Sequence, residues 1–249
     1  KIARPGVDPL DIDAMTALLK AAEKPLMIVG GGGWTPEACD DIRAFAQANN
    51  LPTAASFRCQ DIVDNNLSCY VGELGTSASA ALKARVQESD LLLVVGARLG
   101  EMTTGGYSMV SVPRPKQTLI HVYPDPDEMG RVYQPDLPIC AGVDRFAAAV
   151  RDSVAEDNSR WTGWLETARA GYLENLKPTE GLPGAVDMAR VIDDIQSRVG
   201  ETGIIVSDAG NFSGWAQRFY RYGVYPSQVA PTSGAMGYGV PAAIGARLA

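Results

Sequence analysis

A chain of 249 residues, 46% hydrophobic and 20% charged, can bury one large core or two modest ones. Its formal net charge of -7 argues against a nucleic-acid partner, and no apolar run is long enough to span a bilayer, so no membrane partner is expected. Four scattered cysteines (Cys39, Cys59, Cys69, Cys140) without a C-x-x-C pair suit a reducing, cytoplasmic setting, and the single His121 leaves no zinc triad.

The chain starts on Lys1 and stops at Ala249 within a helix-like run, so the expectation is a piece of a longer reading frame. Residues 9–22 repeat Ile12, Met15, Leu19 and Ala22 on one helical face. Leu26 to Val29 form a short apolar strand that ends in four glycines, 30–33. Thr35 as N-cap and Pro36 at the first position open the next helix, which runs through Ile42, Phe45 and Ala46. A weaker strand at 52–56 is followed by a helix at 77–88 and the clearest strand at 91–95. Strands at 118–123 and 137–140 and a helix near 145–154 complete this part. Continuous apolar strands separated by helices indicate a parallel sheet covered on both faces.

The fold class expected is α/β: a doubly wound parallel-sheet central domain over 1–155, then the opening part of a second α/β domain over 187–249. Between them a helical linker, 156–186, carries Trp161, Trp164, Leu165 and Tyr172 and a Pro/Gly-rich loop. The second domain begins with an amphipathic helix bearing Met188, Val191, Ile192 and Ile195, followed by a strand at 203–208.

Candidate sites fall at strand ends. Gly30 and Gly31 lie between a strand and a capped helix, where N–H groups and the helix dipole can hold a phosphate; a tight turn explains them equally. The run is no G-x-G-x-x-G, and no acid follows at the ribose-binding distance, which counts against a nicotinamide dehydrogenase. Arg98, just past the strongest strand, is placed to meet a phosphate or a flavin edge. Asp125, Asp127 and Glu128 suit a helix N-terminus, and His121 in its apolar strand reads as a buried, satisfied histidine. After 203–208, Gly210 permits an unusual backbone, and Asn211 or Ser213 could cap the helix of Trp215. The closing stretch SGAMGYGVPAAIGA sets Met236 among Gly234, Gly237 and Gly239, with Pro241 opening a small-residue helix suited to tight packing.

That closing stretch, from Ser233, resembles the segment before the metal-binding motif in thiamine-diphosphate-dependent enzymes of the acetolactate synthase family. The likeness extends over the chain, through IVGGG from Ile28, VGAR from Val95, IHVYPDPDE from Ile120, and VSDAGN from Val206 with Trp215. It implies that the Gly234 carbonyl and the Met236 N–H bind the aminopyrimidine, with Ala235 between them and the Met236 side chain enforcing the cofactor's bend. Gly210 and Asn211 would lie near the diphosphate. It further implies Mg2+ held by a G-D-G…N-N motif beyond Ala249, and an activating glutamate in an N-terminal domain before Lys1; without these the chain alone would be inactive. Tyr123 and Phe212 stand where flavin-containing members typically show an acid and a histidine, so FAD, another nucleotide or no ligand are alternatives for the central domain.

The implied activity is decarboxylation of a 2-keto acid and transfer of the acyl carbanion equivalent to an acceptor, by a homodimer or homotetramer. A simple 2-keto-acid decarboxylase and a non-catalytic nucleotide-binding module are the alternatives.

Overall fold

The computed structural model describes residues 5–153, 157, 159–200 and 202–248. Six parallel strands form its main sheet: β1 (Pro25–Val29), β2 (Thr53–Ser56), β3 (Tyr70–Leu74), β4 (Leu91–Val95), β5 (Thr118–Tyr123) and β6 (Leu137–Cys140). Their spatial order is β3-β2-β1-β4-β5-β6. The direction of winding reverses between β1 and β4, which puts a topological switch point at their carboxyl ends.

Because side chains alternate across a strand, the apolar runs supply two cores at once. Met27, Val29, Leu93 and Val95 join one cluster with Met15, Ile42, Phe45 and Phe146. Leu26, Ile28, Leu92 and Val94 join a second cluster with Leu82, Val86, Leu165 and Ala168 on the opposite face. The doubly wound expectation for the central region therefore matches the fold. Strand β3 had no counterpart among the expected strands, because Gly72 and Glu73 interrupt its apolar run even though all five of its residues are buried.

Local signals set the helix starts. Asp8 accepts from Leu10 N at the head of α1 (Pro9–Ala21), and Thr35 accepts from Ala38 N at the head of α2 (Pro36–Ala48). Helix α3 (Ala80–Glu88) begins later than the expected 77, because Ser79 takes the capping position and accepts from Leu82 N. Helix α4 spans Val143–Val150; the expected end at Val154 and the domain boundary at Ala155 lie outside the described residues.

The segment expected as a linker contains α5 (Thr162–Asn175), and this helix is docked. Trp164 Nε1 donates to the Pro25 carbonyl at 2.9 Å, and Arg169 donates to the carbonyls of Asn65 and Tyr70. The second region follows as α6 (Met188–Val199), β7 (Ile205–Val206), α7 (Ser213–Phe219), β8 (Gln228–Val229) and α8 (Gly239–Leu248). Strands β7 and β8 pair in parallel, and Ile192, Tyr220 and Tyr222 make a small core beside them. The strand expected over 203–208 is only two residues long, and α8 starts two residues before Pro241. No residue of α8 is fully buried; its small residues Gly239, Ala242 and Ala246 are half-buried on the side that meets β7.

Candidate cofactor-binding site

At the switch point the glycines face one another. A Cβ on Gly31 (φ +70) would stand 1.9 Å from the Gly96 carbonyl oxygen, and one on Gly96 (φ +75) would stand 2.4 Å from that of Gly30. Trp34 Nε1 donates to the Gly30 carbonyl at 2.9 Å. Contact between two strand-end turns thus accounts for these glycines on packing grounds.

Arg98 is engaged by its own chain: its Nε lies 3.0 Å from Glu128 Oε1, and Arg131 approaches the other oxygen at 3.4 Å. This corrects the reading of Glu128 as a helix-capping acid. Residues 125–130 form turns, with Asp125 accepting from Asp127 N at 3.0 Å. Gly130, at φ +84, closes the segment in a left-handed conformation that a helix cannot continue through. His121 is 3% exposed and bonds the Ala97 carbonyl through Nε2 at 2.9 Å. Burial pushes its pKa down, so the ring is neutral with the proton on Nε2; Nδ1 has no partner among the described residues.

In the second region the organising residue is Asp208, which sequence reasoning passed over. Its Oδ2 accepts from Gly237 N at 2.9 Å and Gly239 N at 3.0 Å, while Oδ1 accepts from Ala209 N at 2.7 Å. These backbone donors hold the carboxyl below its usual range. They also tie the loop after β7 to the loop that carries Gly234, Ala235 and Met236. A Cβ added to Gly234 (φ +70) or Gly237 (φ +86) would meet no atom within 4 Å, and Met236 is 85% exposed.

Gly210 does not need a left-handed backbone: the Phe212 ring lies 2.6 Å from where its Cβ would be. Neither Asn211 nor Ser213 caps α7 with its side chain; Ser213 Oγ instead donates to the Gly210 carbonyl at 2.8 Å. Asn211 lines a cleft of about 370 Å³ with Ser77, Ser79, Asn175, Trp215 and Arg218.

The two regions meet through a polar seam that sequence reasoning also missed. Gln60 Nε2 donates to the Gln217 carbonyl at 2.8 Å, and Asp61 Oδ2 accepts from the N–H groups of Ser227 (2.9 Å) and Gln228 (3.0 Å). Arg58 Nη1 donates to the Pro231 carbonyl. All three residues follow β2, and ligands of open α/β sheets sit beyond such strand ends, so position alone could have singled them out.

Residues 12–150 match the family described as thiamine pyrophosphate enzyme, central domain. The chain belongs to the thiamine pyrophosphate enzyme family. Residues 208–249 match the companion description, C-terminal TPP binding domain. Among similar proteins, the acetolactate synthase large subunit of Corynebacterium glutamicum is 27% identical over 99% of this chain and 41% of its own length. That of Parasynechococcus marenigrum is 29% identical, covering 97% and 39%. The acetolactate synthase isozyme 2 large subunit of Escherichia coli is 26% identical, covering 96% and 42%. The chain thus spans about two fifths of the length of these relatives.

The closing loop lies within the part matched to the TPP binding domain and has room for a ligand. Gly234 and Gly237 leave an open face that a side chain would fill, and Met236 projects from it. No cluster of metal-ligating side chains occurs among the described residues, and none of their helices is long and apolar enough to cross a membrane.

Proposed function

We propose that this chain supplies the central domain and the cofactor-shaping loop of a thiamine-diphosphate-dependent 2-keto-acid carboligase, acetolactate synthase-like. The observation that carries the reading is the 234–239 loop: Asp208 anchors its far end while Met236 stands free between two left-handed glycines. When bound, thiamine diphosphate would supply a nucleophilic carbon toward the keto carbon of a 2-keto acid and an electron sink for the pair released as CO2 departs; the protein's part is shape and electrostatics. The Gly234 carbonyl would accept from the aminopyrimidine amino group, and the Met236 N–H would donate to its ring. The thioether of Met236 would pack beneath the bend, a task suited to a flexible, polarizable side chain. Gly210 and Asn211 would face the diphosphate, with Mg2+ ligands supplied by residues other than those described.

At the switch point, Gly30 and Gly31 are accounted for by turn packing and Arg98 by Glu128, so the reading assigns no FAD or other nucleotide there. A cytoplasmic location is supported by four free cysteines, two of them buried. Assembly as a homodimer or homotetramer is proposed on the family resemblance alone.

The test is Met236→Ala in the complete enzyme. Turnover of pyruvate is expected to fall about 10²-fold, with thermal unfolding unchanged, because a misplaced cofactor loses reactive geometry. Product analysis separates carboligation from simple decarboxylation. Undiminished turnover of the variant defeats the bend assignment.

A further inference from the structure

The loop that presents Met236 is gripped from two directions. Asp208 takes the N–H groups of Gly237 and Gly239, just after Met236. Arg58, from the end of β2 in the central domain, donates to the carbonyl of Pro231, three residues before Gly234. Between these grips lie two glycine pivots, at φ +70 and φ +86, which by themselves would let the segment adopt many conformations.

Arg58 is built for this reach. Its backbone is left-handed (φ +61), a costly state for a residue with a Cβ and one that persists where surrounding structure enforces it. Its guanidinium stacks on the Phe57 ring at 4.7 Å, and burial pulls its pKa down against the opposing effect of Glu73 and Asp208. The arginine from one domain and the aspartate from the other therefore hold the same loop at two points.

We propose that Arg58 and Asp208 are positioning residues that brace the 231–239 loop at its two ends and so fix the height and direction of Met236. The brace rests on the reading of that loop as the thiamine diphosphate site, and it adds a dependence of cofactor geometry on the central domain. Neither residue touches the reacting atoms. Their loss is expected to lower kcat without weakening capture of the 2-keto acid.

Hydrogen exchange on the complete enzyme, free of cofactor, tests the brace directly. The amides of Gly237 and Gly239 are expected to exchange slowly although their loop is exposed. Asp208→Ala should accelerate them by about tenfold or more, and Arg58→Ala should do the same across residues 232–236. With cofactor, Arg58→Ala should lower kcat by about 10²-fold while KM changes less than about twofold. Arg58→Lys should recover part of this, since an ammonium can still donate to the Pro231 carbonyl. Unprotected Gly237 and Gly239 amides in the unaltered protein overturn the brace even if a variant fails to fold. So does exchange that Asp208→Ala leaves unchanged, or a kcat that Arg58→Ala leaves intact. Titration of the unaltered enzyme with thiamine diphosphate separates the two ideas: no binding defeats the cofactor reading, while the exchange data alone decide the brace.

Discussion

Asn65 and Tyr222, 157 residues apart in sequence, clasp each other by two hydrogen bonds: Asn65 N donates to the Tyr222 carbonyl at 2.8 Å, and Tyr222 N donates to Asn65 Oδ1 at 3.0 Å. The Asn65 amide nitrogen also serves the carbonyls of Gln60 and Val63, so a fully buried side chain has every donor and acceptor occupied.

Asn65→Ala leaves the Tyr222 N–H and two carbonyls without partners, at a cost of about 2–4 kcal/mol in urea denaturation. Asn65→Asp keeps the acceptor for Tyr222 but turns an anionic oxygen toward two carbonyls. It should be the worse variant at pH 8 and recover as the pH is lowered. Equal stability of both variants at all pH values would show that the clasp is not held by these bonds.

Glu73 is buried beside the same seam, and its Oε1 has no hydrogen-bond partner among the described residues. Burial raises its pKa from 4.5 to about 7, against the opposing pull of Arg58. Between these two values the folded state holds a proton that the unfolded state has lost, so stability falls as pH rises and is lowest above 7. The span corresponds to about 3 kcal/mol. Glu73→Gln should flatten this slope and stabilise the protein at pH 8, as read from denaturation midpoints across pH 5–8.

Two neighbouring glycines should respond differently to alanine. Gly31→Ala combines a left-handed backbone with a Cβ 1.9 Å from a backbone oxygen, and should destabilise by about 3 kcal/mol or more. Gly32, with an ordinary φ and nothing within 4 Å, should tolerate alanine within about 1 kcal/mol. Matching losses at both positions would contradict the packing account of the switch-point turns.

The Arg98 side chain is 61% exposed, so its bond to Glu128 is screened by water. Arg98→Ala should shift stability by less than about 1 kcal/mol. A large loss in denaturation measurements would mean that the arginine has a structural duty beyond Glu128.

How much could be read in advance follows from the range over which each signal acts. The apolar runs at 26–29 and 91–95, the Thr35-Pro36 helix start and the glycines around Met236 are local, and each determined its element before any tertiary contact was known. Sequence alone thus settled an α/β sheet with helices on both faces, and the closing motif carried the family. It could not show β3, whose glycine and glutamate conceal a buried strand, nor the packing of Gly31 against Gly96, because those partners lie far apart in the chain. Only the tertiary structure placed Arg58 against Pro231 and Asp208 against Gly237 and Gly239. A lone arginine or aspartate in a loop carries no periodicity. Its partner is a backbone N–H or carbonyl, which every residue possesses, so the choice among them is made by the fold.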